Sequence, residues 1–246
     1  MISNIKSDLY QFLHSPLLFF HLIVPILGAL TFVGYYAVSG WDETNNVIAF
    51  IQALSTAFPV LIGIITGLVA ETEKNAGSFQ TMLTTPKSKC IPHMSKIIVL
   101  FIFGLAATIM ATTLFYIGFQ ALGYLNYGIL FFIKTAVLIF LSMIPLYLLS
   151  YLVTFLFGKG MGMGLGIVGG LLSALLLTGL GDNVWWYSPW GIASRFSLSI
   201  FLTDFGIQQD TKQIKNAIMV LLLLSIILTA LLIVIFNRWE GRKSED

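Results

Sequence analysis

The stretch of this sequence best equipped for chemistry is a polar connection between two long apolar runs, residues 71–96. It opens with two carboxylates, Glu71 and Glu73, followed by Lys74, where the preceding apolar run ends. Charged groups at such a junction either pair with neighbouring groups or remain solvated. We predict that Glu71 and Glu73 act together, anchoring the segment that follows or pairing with a basic group on a partner. Simple solvation is the alternative.

The same connection predicts a short amphipathic helix at about residues 77–84, which begins with Gly77. Ser78 is a good N-cap residue, and Pro86 would end the helix. The apolar face would consist of Phe79, Met82 and Leu83. Because no apolar run of membrane-spanning length surrounds this face, it either lies on lipid headgroups or docks on a soluble partner.

Glycine-rich motifs elsewhere resemble nucleotide sites but lack their context. Gly164–Gly169 matches G-x-G-x-x-G inside an apolar run, whereas dinucleotide binding needs that pattern between a strand and a helix. Gly158-Lys159 lacks the Ser or Thr of a P-loop. We therefore predict no nucleotide site in this chain. Glycines spaced four residues apart instead predict close packing between helices in a membrane. They are Gly160, Gly162, Gly164, Gly166 and Gly170.

Metal ligands and catalytic groups are scarce. His14, His21 and His93 lie far apart in the sequence, and none is paired with Cys90 at a ligand spacing. Serines and threonines in the apolar runs have no His, Asp or Lys beside them that could activate a hydroxyl. We predict no metal, no cofactor and no catalytic residue in this chain.

Aromatic residues crowd into the long polar segment before the last apolar run, beside Asp182. They are Trp185, Trp186, Tyr187 and Trp190. Tryptophan and tyrosine are enriched at membrane interfaces, so an interfacial belt is one interpretation. A shallow substrate-contact surface that includes Asp182 is the other.

These residues are positioned by six apolar runs. The chain of 246 residues is 57% hydrophobic and 10% charged, whereas soluble domains carry about 25% charged residues. Six runs without Asp, Glu, Lys or Arg are long enough to cross a bilayer as helices: 17–38, 47–70, 97–119, 135–157, 161–180 and 217–236. They predict an all-α membrane protein forming a single transmembrane domain over residues 1–246.

Residues 1–14 precede the first span and have apolar side chains at spacings of three and four. This pattern predicts a helix lying in the membrane surface, with a frayed tail as the alternative. The run 17–38 is longer than the roughly 7–15 residues of a signal-peptide core, which favours a retained span. With the N-terminus inside, most Lys and Arg residues fall on cytoplasmic segments, so both termini are predicted to be cytoplasmic.

The order of a surface helix, six spans and the 71–96 connection resembles the permeases of ABC-2-type transporters, which have the type V exporter architecture. The residues that carry the resemblance are Glu71, Glu73, Lys74, Gly77, Ser78, Phe79, Leu83 and Pro86. Chain size and the Trp-rich and Pro-rich outer segment are similar to the small permeases of lantibiotic immunity and resistance transporters.

The resemblance implies a bacterial plasma-membrane protein that pairs with a related permease or a second copy of itself. Two copies of an ABC ATPase would bind ATP and Mg²⁺. The helix at 77–84, together with Glu71, Glu73 and Lys74 before it and Pro86 after it, would couple to that ATPase. The first and fifth spans would line the pathway, short outer helices would follow the fifth span, and a peptide antibiotic would be expelled. No nucleic-acid partner is implied.

Three alternatives remain open at this point. The first is an ABC-2 permease for a drug, lipid or glycan precursor. The second is an intramembrane enzyme, which would need polar catalytic groups at membrane depth. The third is a purely structural membrane subunit.

Overall fold

A computed structural model describes residues 1–77, 79–84, 88–124, 126–204, 206–207 and 209–241, without the side chains of Thr81 and Asp204. Within these residues all regular structure is helical. The α-helices are α1 (Ile2–Leu13), α2 (Pro16–Tyr36), α3 (Glu43–Asn75), α4 (Gln80–Leu83), α5 (Cys90–Ala121), α6 (Ile129–Phe157), α7 (Lys159–Leu177), α8 (Pro189–Asp204) and α9 (Thr211–Arg238). Two 3₁₀ turns, Gly179–Gly181 and Trp185–Tyr187, lie between α7 and α8.

Six of the described helices, α2, α3, α5, α6, α7 and α9, are long and apolar enough to cross a membrane. The predicted all-α class with six spans is therefore confirmed. Several helices run beyond the apolar limits, because polar residues also support helix outside the hydrocarbon. In α3, for example, the Asp42 carboxylate accepts a hydrogen bond from the Asn45 backbone N–H at 3.3 Å and caps the first turn.

The N-terminal helix α1 lies across the bundle against α5 and α2. Its one fully buried residue, Phe12, stacks on Phe103 with ring centroids 3.9 Å apart. Ser15 then starts α2, because its hydroxyl accepts a hydrogen bond from the Leu17 N–H at 3.3 Å and Pro16 occupies the first turn. The predicted helix over residues 1–14 is thus present, held by one aromatic anchor.

Helix α3 is central, and its main neighbour is α7. A Cβ on Gly63 would lie 2.7 Å from the Gly162 carbonyl oxygen and 2.8 Å from the Gly166 Cα. Gly170 meets Val60 in the same interface, where an added Cβ would lie 2.5 Å from a Val60 methyl carbon. The glycines allow this approach, since any side chain there would force the helices apart. The predicted packing residues Gly160 and Gly164 instead face open space.

Helix α8 folds back against α3, α6 and α7 after the 3₁₀ turns. Its inward face combines apolar residues, Ile192, Ala193, Phe196 and Phe201, with the buried serines Ser194 and Ser197. The implied short helices after the fifth span correspond to the two 3₁₀ turns and this one helix of 16 residues, which packs into the bundle.

Candidate functional site

The chain turns at the two ends of the helix bundle, and the predicted site residues form two groups, one at each end. The basic end holds α1, α4, the C-terminal ends of α3, α6 and α9, and the starts of α5 and α7. The opposite end holds the α2–α3 and α5–α6 connections and residues 178–210. Polar contacts at both ends join helices that the sequence separates.

A polar hub at the basic end consists of Asp8, Gln11, Glu73, Ser95 and Lys96. The Lys96 ammonium lies 2.8 Å from Asp8 Oδ1 and 2.7 Å from Glu73 Oε1, and it donates to Gln11 Oε1 at 3.1 Å. Gln11 Nε2 donates to Glu73 Oε1 at 3.0 Å, and the Ser95 hydroxyl donates to Asp8. The hub therefore fastens α1 to the ends of α3 and α5.

The hub is shielded from solvent, since the Lys96 side chain is 9% exposed and the Glu73 side chain 5%. In this setting each carboxylate depends on the single ammonium and its hydrogen bonds for compensation. A cleft of about 710 Å³ opens beside the hub, between α1 and the start of α5, with Asp8, Glu73 and Lys96 in its wall.

Glu71 belongs to a different contact. Its Oε2 lies 2.6 Å from the Lys159 ammonium at the start of α7, and both side chains are about two fifths exposed. Glu71 therefore ties α3 to α7, whereas Glu73 ties α3 to α1 and α5. Both glutamates lie at the predicted junction and each pairs with a lysine of this chain, but they contact different helices because they lie on different faces of α3. Lys74 is exposed.

The predicted coupling helix is shorter than expected. Helix α4 covers only Gln80–Leu83, and Gly77 and Phe79 precede it with φ angles of 127° and 67°. Glycine adopts this region readily, but phenylalanine rarely does. Ser78 and Pro86, predicted to cap and end the helix, lie outside the described residues. We name residues 77–84 the coupling segment.

The apolar face of the coupling segment is covered by the chain itself. Phe79 is 3% exposed and Met82 is 2% exposed, while Leu83 is half-buried. The expectation that this face is unpaired is wrong, because α6 and the chain end after α9 pack against Phe79. Exposed positions of the segment include Gly77, Gln80 and Thr84, so a partner would contact these.

The aromatic residues of the opposite end separate into core and surface. Trp185 is 4% exposed, and its Nε1 donates to Gln213 Oε1 at 2.7 Å. Trp190 is half-buried against Gly169. Trp186 and Tyr187 stack with centroids 3.6 Å apart, and Tyr187 is 61% exposed. Tyr187 is therefore the exposed aromatic residue of the predicted substrate surface, and Trp186 beside it is half-buried.

Arg195 organises this end and was not predicted as a site residue. Its guanidinium donates to the carbonyl oxygens of Leu176, Leu177 and Thr178, which end α7, and to Asp182 Oδ1 at 2.8 Å. These carbonyls have no partner within their own helix, so the arginine satisfies them from α8. Asp182, predicted to contact substrate, thus forms part of the connection between α7 and α8.

Among the described residues, no three His, Cys, Asp or Glu side chains are grouped as a metal site would need. A second cavity, of about 150 Å³, lies between α2, α3 and α5, and its wall is almost wholly hydrocarbon. The arrangement can hold helices in fixed relation at both ends and offer apolar surface between them.

Comparison with known proteins identifies one matching protein family. Residues 14–173 match the family model described as ABC-2 family transporter protein. The match covers more than half of the chain, and it includes the whole 71–96 connection. None of the curated proteins and none of the solved structures compared with the chain gives a significant match.

Proposed function

Because the chain belongs to the ABC-2 family of transporter proteins, we propose that it is the permease subunit of an ATP-driven exporter of lantibiotic or related antimicrobial peptides. It gives the cell immunity or resistance by expelling the peptide from the membrane. The family implies a partner ATPase. In this proposal two ATPase copies bind ATP and Mg²⁺, and a related permease or a second copy of this chain completes the pathway. The protein resides in a bacterial plasma membrane with both termini in the cytoplasm.

The observation that carries the coupling role is the position of the coupling segment. It follows α3 directly, Phe79 and Met82 fix it in the core, and Gln80 and Thr84 remain exposed. Force applied to an exposed, well-anchored segment reaches the helices that anchor it. The segment therefore suits contact with a soluble subunit that supplies energy.

The peptide substrate is supported by the opposite end. The stacked pair Trp186 and Tyr187 offers apolar area together with an N–H and an O–H that could bind a peptide backbone. A specific observation also favours the alternative substrate class of lipids. The 150 Å³ hydrocarbon-lined cavity between α2, α3 and α5 suits an acyl chain.

The coupling role is tested by changing an exposed residue of the segment. Gln80→Arg adds bulk and charge at the surface while it leaves the buried anchors intact. Gln120→Arg is the matched control, since Gln120 is exposed at the opposite end of the bundle. We expect Gln80→Arg to release the ATPase in mild detergent and the control to retain it. Full ATPase recovery with Gln80→Arg would refute docking at this position.

The substrate is tested in a sensitive bacterium that produces this chain with its ATPase and second permease. The proposal expects survival at lantibiotic concentrations that kill cells producing Gln80→Arg, at matched membrane levels. Unchanged sensitivity, together with ATP-dependent movement of a fluorescent lipid in vesicles, would support the lipid alternative instead.

A further inference from the structure

The chain end after α9 lies over the coupling segment. Residues 237–241, here named the C-terminal strap, are the last two residues of α9 and the three that follow them. The Ser88 hydroxyl donates to Asn237 Oδ1, and Lys89 Nζ donates to the Trp239 carbonyl oxygen at 3.1 Å. Leu83 also approaches the strap, since an added Cβ on Gly241 would lie 3.1 Å from its Cδ1. The strap therefore contacts the chain on both sides of residues 85–87.

The Trp239 side chain continues this contact into the core. It is 8% exposed and lies edge-on to Phe79, with ring centroids 5.2 Å apart. Both rings belong to an aromatic box below the coupling segment, made of Phe79, His93, Tyr151, Phe155, Phe236 and Trp239. The box draws residues from α5, α6, α9, the strap and the coupling segment.

Phe79 needs such support because of its backbone. A φ of 67° is uncommon for a bulky residue and persists where the surroundings hold it. The Phe79 ring contacts both Phe155 of α6 and Trp239, with ring centroids 6.0 and 5.2 Å away, and these two rings also contact each other. Without Trp239 the ring loses one neighbour, and the coupling segment can relax from this conformation.

We propose that Trp239 is a positioning residue that sets the coupling segment, through Phe79, in the geometry from which an ATPase drives the spans. The part concerning the ATPase rests on the proposed function. The part concerning position does not, because it can be measured on this chain alone. Through the box, the last span and the coupling segment move as one body with the start of α5.

Cys90 provides the measurement, since it is the single cysteine of the chain, is 5% exposed and follows Lys89 directly. Its rate of reaction with a maleimide in detergent reports local opening near the strap. We expect Trp239→Ala to raise this rate at least about tenfold. Truncating a buried Trp usually lowers stability by more than the free energy that corresponds to a tenfold change in an opening equilibrium. Trp239→Phe should restore most of the protection. Glu240→Ala, at the exposed neighbouring position, should match the unaltered chain.

Two controls separate local opening from unfolding and from failure of the proposed function. A chain with Cys90→Ser and Ser173→Cys carries its thiol at a buried position near the opposite end, and Trp239→Ala should leave its labelling unchanged. With the ATPase added, Trp239→Ala should reduce stimulated hydrolysis several-fold more than it reduces ATPase binding.

The proposal would be overturned if Cys90 were labelled at the same rate in Trp239→Ala and in the unaltered chain. It would also be overturned if Trp239→Ala accelerated labelling at Ser173→Cys as much as labelling at Cys90. If the unaltered chain bound no ATPase, the proposed function would fail. The labelling rates would still decide whether Trp239 positions the segment.

Discussion

Lys96 at the basic end reaches Asp8 and Gln11, which lie 88 and 85 residues away in the chain. Arg195 at the opposite end reaches back only 13 residues to Asp182 and 19 to Leu176. The lysine joins three helices through side chains, whereas the arginine satisfies the backbone of one helix end. The Lys96 contacts thus cross the fold, whereas the Arg195 contacts stay within one stretch of chain. At the same end as Arg195, Thr44 also contacts Tyr127, 83 residues away.

This difference indicates how each end can move. A displacement of α3 at the basic end must carry α1 and α5 with it or break a buried charge network. A displacement of the connection between α7 and α8 must break the Arg195 contacts and the hydrogen bond from Trp185 Nε1 to Gln213 of α9.

The largest effect is expected from Lys96→Met, which leaves the Asp8 and Glu73 carboxylates buried without their ammonium. Removing one partner of a buried pair costs about 3–5 kcal/mol. We expect a strongly lowered unfolding midpoint in detergent and detachment of α1, seen as faster proteolysis at residues 1–14. Lys74→Met, at an exposed position, is the control. A midpoint within error of the control would mean that the hub does not hold the basic end.

A smaller loss of stability is expected from Arg195→Met. Three carbonyl oxygens and Asp182 lose a charged donor, but water can reach them. Hydrogen bonds to charged groups contribute about 1.5–3 kcal/mol. Hydrogen exchange should increase in residues 178–188 and in α8 while the basic end stays protected. Equal increases at both ends would contradict the local character of this tie.

The sequence predicted the six spans because each is a long apolar run, and it predicted α1 from a clear helical periodicity. It did not predict the hub, since Asp8 and Lys96 give no spacing signal across so much chain. Burial of Phe79 depends on Phe155 and Trp239, which come from distant helices.

The bounds and the packing of α8 were not predicted, because its hydrophobic pattern is interrupted by serines and by Arg195. Its buried serines, Ser194 and Ser197, occupy the inward face of a helix that looks polar in sequence. Only the packing of α3, α6 and α7 makes that face interior.

Glu71→Gln should lower stability less than Lys96→Met or Arg195→Met. The Glu71–Lys159 pair is well exposed, and such pairs contribute at most about 1 kcal/mol. Glu73→Gln should lower the unfolding midpoint clearly more, since Glu73 is buried on Lys96. Comparing the two midpoints under one buffer separates the glutamates. Similar midpoints for both variants would mean that the burial of Glu73 on Lys96 adds no stability beyond that of the exposed Glu71–Lys159 pair.

The smallest effect on stability is expected at the opposite surface, where Trp186→Ala with Tyr187→Ala removes a stacked pair made of the half-buried Trp186 and the exposed Tyr187. Trp185→Ala is the informative contrast, because a buried Trp typically costs about 3–5 kcal/mol when truncated. If the surface pair contacts an amphipathic peptide, the double variant should keep its unfolding midpoint and lose protection in a graded survival assay at matched membrane levels. Asp182→Asn should lose less protection, since Asp182 already faces Arg195. Full protection by the double variant would leave these rings as an interfacial belt. The opposite end would then not bind substrate through these rings. The contrast between the two ends would be limited to the long-range contacts of Lys96 and the short-range contacts of Arg195.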